Sequence, residues 1–150
     1  MEKEILNPEL WTAVGVAMSC GTLIGFERQF RGKAAGVRTG VLISLGTMLF
    51  VYMGSHIDAA TVDASRVLGQ VVTGIGFLGA GVMFNRDGVV NGVTTASVIW
   101  VLAAIGSMAG LGYTYTPLLL SLLTVLILGA CSSLEKNFAW LRRGAYADKE

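Results

Sequence analysis

The sequence predicts an all-α membrane protein with five transmembrane helices. Two observations carry this prediction: long stretches of the 150-residue chain contain no charge, and the basic residues are sorted between alternate loops. Hydrophobic residues make up 53% of the chain and charged residues only 14%, against roughly 25% charged in soluble domains. A chain of this length has room for one membrane domain and no separate soluble domain.

Four runs of the sequence contain no Asp, Glu, Lys or Arg, at 10–26, 39–55, 67–85 and 88–134. A bilayer-spanning helix needs roughly 20 mostly apolar residues, so each of the first three runs predicts one span. The fourth run is too long for one crossing and divides at 112–117, where Gly favours a helix end and Thr-Pro a new helix start. The predicted spans are 8–26, 38–57, 67–85, 92–111 and 117–134, followed by a juxtamembrane tail over 135–150.

Five spans place the two ends of the chain on opposite sides of the membrane. The first loop, the third loop and the tail hold nine Lys and Arg residues, whereas the N-terminus and the other loops hold two. This positive-inside bias predicts an external N-terminus and a cytoplasmic C-terminus. In the tail, Leu134, Phe138 and Leu141 have helical spacing and are expected to extend the last helix or lie at the inner surface.

The N-terminal segment is typical of a retained first span. Met1-Glu2-Lys3-Glu4 is acidic on balance, whereas a signal peptide opens with a basic segment. Asn7-Pro8-Glu9 is typical of a helix start, with Asn as the N-cap and Pro in the first turn.

Glycine is abundant, with 20 residues, and several glycines follow the small-xxx-small pattern that lets membrane helices approach closely. The pattern predicts that spans one to four form the packed core and that the Leu-rich fifth span faces lipid. Gly74, Gly76 and Gly79 also match G-x-G-x-x-G, but they lie inside an apolar run and indicate helix packing instead of nucleotide binding. The predicted packing residues are Gly21, Gly25, Gly74, Gly76, Gly79 and Gly81.

The chain also contains a candidate parallel duplication of helical hairpins. A shift of 56 positions aligns Gly25 with Gly81, Gly36-Val37 with Gly92-Val93, and Thr39 with Thr95. Both aligned loops are predicted to face the cytoplasm, so the implied repeat axis is near the membrane normal.

Four ordered motifs resemble those of the MgtC/SapB family of bacterial inner-membrane proteins. They are the segments 21–29 (GTLIGFERQ), 36–39 (GVRT), 70–81 (QVVTGIGFLGAG) and 92–97 (GVTTAS), the last followed by Trp100. The resemblance implies a five-span protein linked to growth at low magnesium and, in pathogens, to survival inside host cells. Some members are thought to restrain the F-type ATP synthase. Longer members carry a cytoplasmic C-terminal domain, and this chain is expected to be a short form without it.

The residues themselves do not predict an enzyme. The carboxylates are dispersed, and we expect no catalytic constellation, metal site or cofactor. The single histidine, His56, is expected to be a solvated or interfacial residue, and the two cysteines, Cys20 and Cys131, to be small buried thiols. A net charge of +1 gives no indication of nucleic-acid binding.

Polar residues near the predicted inner ends of the spans, with two in the third span, are the candidates for function. Glu27 and Arg38 are expected to form a buried pair, and the four-residue spacing of Glu27 and Arg31 also favours an ion pair. Gln70 and Thr73 are expected to hydrogen-bond to neighbouring helices. The full candidate cluster is Glu27, Arg28, Gln29, Arg38, Thr39, Gln70, Thr73, Asn85, Asp87, Asn91, Thr94, Thr95 and Trp100.

Two functions are open at this point. The first is a regulator that binds another membrane complex, such as an F-type ATP synthase, during magnesium or acid stress. The alternative is a small magnesium or other ion transporter or channel that works as a homo-oligomer, although no Asp or Glu lies at the centre of a span. A homodimer is favoured in either case. The face of Gly21 and Gly25 is expected to form its seam, or equally to pack against the third span within one chain.

Overall fold

The computed structural model describes residues 7–56, 64–86 and 89–137. The elements in chain order are α1 (Pro8–Phe30), α2 (Val37–His56), α3 (Ala64–Gly81), β1 (Phe84–Arg86), β2 (Val89–Asn91), α4 (Val93–Gly110) and α5 (Tyr115–Asn137). In the described part of the chain, α1, α2, α4 and α5 are long and apolar enough to cross a membrane. α3 has 18 residues, as α4 does, but it is not in that set. The all-helical membrane architecture is as predicted.

Local sequence signals account for the helix ends. The Asn7 side chain accepts a hydrogen bond from the Glu9 backbone N–H at 3.0 Å, which confirms the predicted N-cap. Gly32 follows the C-cap residue of α1 and has a φ of +63°, and the Lys33 N–H donates to the Arg28 carbonyl at 2.9 Å. Gly112 follows the C-cap residue of α4 in the same way and has a φ of +88°. Both ends are Schellman motifs, in which glycine adopts the left-handed backbone without strain.

The segment between α3 and α4 differs from the prediction. The third span was expected to run to residue 85, but α3 ends at Gly81 and β1 pairs antiparallel with β2, with Arg86 opposite Val89. The sequence held a signal for this hairpin, because Asp87-Gly88 is a typical two-residue hairpin sequence. At the next boundary, α5 begins at Tyr115, two residues before the predicted start, and Pro117 is fully buried in its first turn.

Small residues allow α2 to approach two helices closely, α1 and α4. A Cβ added to Gly21 would lie 2.6 Å from the Gly40 carbonyl oxygen, and one added to Gly25 would lie 2.6 Å from the Val37 Cα. A Cβ on Gly106 of α4 would overlap the Thr47 hydroxyl. The seam of Gly21 and Gly25 is therefore used within the chain, against α2. Both expectations for it, a dimer seam and a contact with the third span, are wrong.

The hydrophobic core lies between α1, α2 and α4, and α5 covers one side of it. Ala17, Cys20, Met48, Leu102 and Ala109 are 0% exposed. The Leu-rich α5 is mostly exposed, as expected of a lipid-facing helix. The third span was expected to belong to the packed core, but only Ile75 and Gly79 of α3 are buried among its described side chains. α3 is thus a peripheral helix.

The helix boundaries fit the candidate duplication. α2 begins at Val37 and α4 at Val93. These two starts are 56 positions apart, which is the shift that aligns the sequence motifs. The two hairpins pack differently, because the Gly21 and Gly25 approach has no equally close counterpart: a Cβ on Gly79 would lie 3.8 Å from the Ala96 Cβ.

Candidate functional site

Most of the predicted polar residues gather at the end of the bundle that holds the 31–36 turn and the β1–β2 hairpin, here called the hairpin end. α1 and α3 finish there, and α2 and α4 begin there. The candidate side chains form two groups with different surroundings and a dispersed remainder, so the predicted cluster is not a single site.

Arg28 is the centre of the first group. Its side chain is on the last turn of α1, and the residue is only 4% exposed. The Nη2 atom donates to the Thr95 Oγ1 of α4 at 2.9 Å, and Nε donates to the Ala34 carbonyl at 3.3 Å. One guanidinium therefore connects α1, the 31–36 turn and the first turn of α4. Such a buried charge is tolerated because its donors have partners.

Glu27 lies beside Arg28 but has a different partner. Its Oε1 is 2.5 Å from Arg31 Nε, and the Glu27 side chain is 9% exposed. This contact has the distance of an ion pair, while neither carboxylate oxygen accepts a well-aligned hydrogen bond from a described residue. A Cβ added to Gly129 of α5 would lie 3.6 Å from the Arg31 Nη2, so the guanidinium is near this helix. The ion pair expected from the four-residue spacing is present, whereas the expected Glu27–Arg38 pair is wrong, since Arg38 is exposed.

Gln29 has a structural role at the start of α2. Its Oε1 accepts a hydrogen bond from the Val37 backbone N–H at 3.3 Å. The first N–H groups of a helix have no partner inside the helix, so this side chain caps α2 from the end of α1. A Cβ on Gly36 would lie 3.0 Å from the same Oε1, which explains why a glycine fits there.

The second group lies between α2 and α3. Arg38, Thr39 and Gln70 line a groove of about 570 Å³ between these two helices. Thr73 is outside this group: it is exposed, and its hydroxyl donates to the Gly69 carbonyl of its own helix at 3.0 Å. The expectation that Thr73 bonds to a neighbouring helix is wrong. No described residue hydrogen-bonds to the Gln70 side chain.

The remaining candidates are dispersed. Asn85 and Asn91 lie on the hairpin, opposite Val90 and Phe84 respectively, and Asp87 is outside the described residues. Thr94 is exposed, next to the buried Thr95. Trp100 lies deeper on α4, is 54% exposed and lines a separate apolar cavity of about 260 Å³.

Two other predicted residues lie away from the hairpin end. His56, at the far end of α2, is exposed and stacks on Tyr52 with ring centroids 4.0 Å apart, as expected for an interfacial residue. Of the two cysteines, Cys20 is buried as predicted, but Cys131 is exposed on α5.

The outward face of α3 is a separate exposed surface of small residues. Gly69, Thr73, Gly76 and Ala80 follow one helix face, and all four are exposed. A Cβ added to either glycine would meet nothing within 4 Å. In the duplication these positions correspond to four α1 residues that are all buried in the core: Ala13, Ala17, Cys20 and Ile24. We call this surface of α3 the small-residue stripe.

Comparison with known proteins identifies the family of this chain. The sequence profile of the MgtC family matches residues 14–137. The chain belongs to the MgtC family. The match extends over α1 to α5 and includes all the helix contacts described above.

Several relatives in the MgtC family are closely similar. The chain is 44% identical over 119 residues to the Escherichia coli (strain K12) protein named "Putative magnesium transporter YhiD". This alignment covers 75% of this chain and 55% of that protein. It is 37% identical over 132 residues to Protein MgtC of Brucella abortus, covering 87% and 55%. It is 37% identical over 141 residues to Protein SrpB of Synechococcus elongatus, covering 85% and 77%. The chain thus spans about half the length of the first two relatives, and no solved structure matches it.

Within this MgtC-family fold, sequence reasoning missed two connections. The Arg28–Thr95 hydrogen bond joins residues 67 positions apart, and neither residue type predicts the other. The proximity of Arg31 to Gly129 of α5 was not predicted either. The duplication held a partial signal, because it placed Thr39 and Thr95 at equivalent helix starts.

Proposed function

We propose that this protein is a bacterial inner-membrane regulator that binds another membrane complex during adaptation to low magnesium or related stress. The single observation that carries this proposal is the exposure of the small-residue stripe on α3. Surfaces of this kind support close helix–helix contact inside a membrane, where lipid gives no hydrophobic drive for association.

The duplication supports the same reading. The equivalent face of α1 is buried by the rest of the chain, whereas the face of α3 meets no described helix. A transmembrane helix of a partner complex would cover Gly69, Thr73, Gly76 and Ala80 as the core covers their α1 counterparts. We propose the F-type ATP synthase as the first partner to test, since family resemblance suggests it.

The test uses inverted bacterial membrane vesicles that contain the synthase, with ATP-driven proton pumping as the readout. Wild-type protein should lower pumping, and Gly76→Leu should restore it, because the larger side chain keeps a partner helix from approaching. Gly15→Leu is the matched control, since Gly15 is also an exposed helix glycine with nothing within 4 Å of an added Cβ. Pumping that is unchanged by the wild-type protein would exclude the synthase as the target.

Magnesium transport is the second candidate, and the name of the E. coli relative favours it. Purified protein in liposomes loaded with a magnesium-sensitive dye tests this function directly. Protein-dependent magnesium entry would contradict a purely regulatory role. Absence of entry, together with inhibition of pumping that Gly76→Leu abolishes, would support regulation.

A further inference from the structure

The groove between α2 and α3 has apolar walls and opens to the surroundings of the bundle. It is about 570 Å³, within the range of about 300–1,000 Å³ typical of small-molecule sites. Leu42 and Phe50 on one wall are each 62% exposed, and Leu78 on the other wall is 49% exposed. Inside a membrane, a groove with such apolar walls is suited to an acyl chain.

Charge distinguishes one end of the groove from the rest. Arg38 is the one charged residue among the described residues that line it, and it lies at the hairpin end beside Thr39. Its guanidinium is exposed and has no ion pair or hydrogen bond with a described residue. A fixed positive charge at the mouth of an apolar groove complements a ligand with an anionic head and an apolar body.

The length of the groove matches the thickness of one leaflet of the bilayer. Arg38 and Phe50 are twelve residues apart on α2, which corresponds to a rise of about 18 Å. Half of the hydrocarbon core of a bilayer is about 15 Å. A headgroup at Arg38 would therefore place its acyl chain along the groove as far as the middle of the membrane.

The other repeat shows why this space is open. In the equivalent pairing of α1 with α4, Thr95 of α4 accepts a hydrogen bond from the buried Arg28 of α1. Thr39, the equivalent of Thr95, lies in the groove, and the equivalent of Arg28 is Phe84, on β1. The groove face of α3 is also opposite the small-residue stripe, since Gly74 and Gly76 are two positions, or about 200°, apart.

We propose that the groove between α2 and α3 binds one phospholipid with an anionic headgroup, with the phosphate at Arg38 and an acyl chain between the two helices. This site does not depend on the proposed regulatory function. It gives Arg38 and Thr39 a role that the other contacts of the fold leave unassigned.

Native mass spectrometry of the purified full chain tests the site. Phosphatidylglycerol or phosphatidylcholine with the same acyl chains is added to delipidated protein, and the lipids bound per chain are counted at rising concentration. Wild-type protein should bind one phosphatidylglycerol about fivefold more tightly than phosphatidylcholine, as expected of one basic side chain near the headgroup. Arg38→Gln should bring this ratio close to one. Lys33→Gln, at an exposed cation of the same end outside the groove, should leave it unchanged.

A second pair of variants tests the acyl-chain part. Gly46 and Gly74 line opposite walls, and a Cβ at either would meet nothing within 4 Å, so Leu at these positions fills the groove without a clash. Gly46→Leu should bind neither phosphatidylglycerol nor phosphatidylcholine in the groove, and Gly74→Leu, on the opposite wall, should have the same effect. Gly15→Leu should bind both lipids as the wild-type protein does. The proposal is overturned if folded Arg38→Gln keeps the full phosphatidylglycerol preference, or if the groove-filling variants keep the lipid. It is also overturned if wild-type protein is a dimer without bound lipid, because a second copy then fills the groove.

Discussion

Arg28 and Thr95 are joined by a hydrogen bond of 2.9 Å between the end of α1 and the first turn of α4. Both residues are buried, and Arg28 also donates to the Ala34 carbonyl. The two residues belong to different repeats, so this contact fixes the hairpin end of one repeat against that of the other. A hydrogen bond that involves a charged group contributes about 1.5–3 kcal/mol, enough to make this contact important for the closure of the bundle.

Replacement of Thr95 by Val tests that contact. The change keeps the shape but removes the acceptor, so we expect a loss of about 1–3 kcal/mol and a lower melting temperature in detergent. Thr94→Val is the matched control, because Thr94 is its exposed neighbour on the same helix and should change stability by less than about 0.5 kcal/mol. Equal melting temperatures for the two variants would show that the Arg28–Thr95 bond does not stabilise the fold.

Replacement of Gly21 by Leu should prevent accumulation of folded protein. A Cβ at this position already lies 2.6 Å from the Gly40 carbonyl and 2.7 Å from the Val41 Cα, so a larger side chain would force α1 and α2 apart. The measurement is the yield of protein in the membrane and its monodispersity in detergent. Gly15→Leu, with open space around its Cβ, should accumulate normally. Well-folded Gly21→Leu protein at wild-type yield would contradict the close approach of α1 to α2.

Glu27 and Arg31 should be energetically coupled, although weakly. Arg31 is 31% exposed and the two residues are one helical turn apart, so the pair should contribute about 0.3–1 kcal/mol after solvent screening. Glu27→Gln, Arg31→Gln and the double variant form a double-mutant cycle in thermal unfolding. The double variant should lose less stability than the sum of the single losses. Strict additivity would mean that the two side chains do not interact.

Topology can be tested with reporter fusions. A reporter inserted in 31–35 or fused after Glu150 should read cytoplasmic, and one inserted in 59–64 should read external. The insertion in 59–64 is the decisive one, because α3 is the described helix that is not among the candidate spans, so its crossing depends on the five-span prediction. A cytoplasmic signal from that insertion would show that α2 and α3 do not both cross as proposed.

The sequence was most informative about features with a strong local signal. Charge-free runs located each helix in the described part of the chain, and Asn7 and Gly112 marked a start and an end because cap geometry depends on a few neighbouring residues. The β1–β2 hairpin was missed because the absence of charge before Arg86 resembled a continuing span. Apolarity alone does not separate a helix end from a short strand.

Pairing between distant residues was less predictable. Small-residue patterns identified Gly21 and Gly25 as close-packing positions but did not indicate α2 as their neighbour, since one pattern fits any helix. Arg38 was expected to pair with Glu27 because a charge at the membrane edge is costly. The Glu27 carboxylate instead forms its ion pair with Arg31, which is only four residues away in the sequence. The candidate site was therefore predicted by residue type but not by connectivity.

The tight contact of α1 with α2 has a consequence for the order of assembly. Domains made N-terminal first can begin to pack during synthesis, and the Gly21–Gly40 and Gly25–Val37 approaches need only the first 40 residues of the chain. We expect this hairpin to form first and to offer Ser44 and Thr47 as the docking surface for Gly106 of α4. α3 and α5, which each contribute few buried residues, would then pack onto this three-helix core. The early hairpin would therefore act as the template on which the peripheral helices assemble.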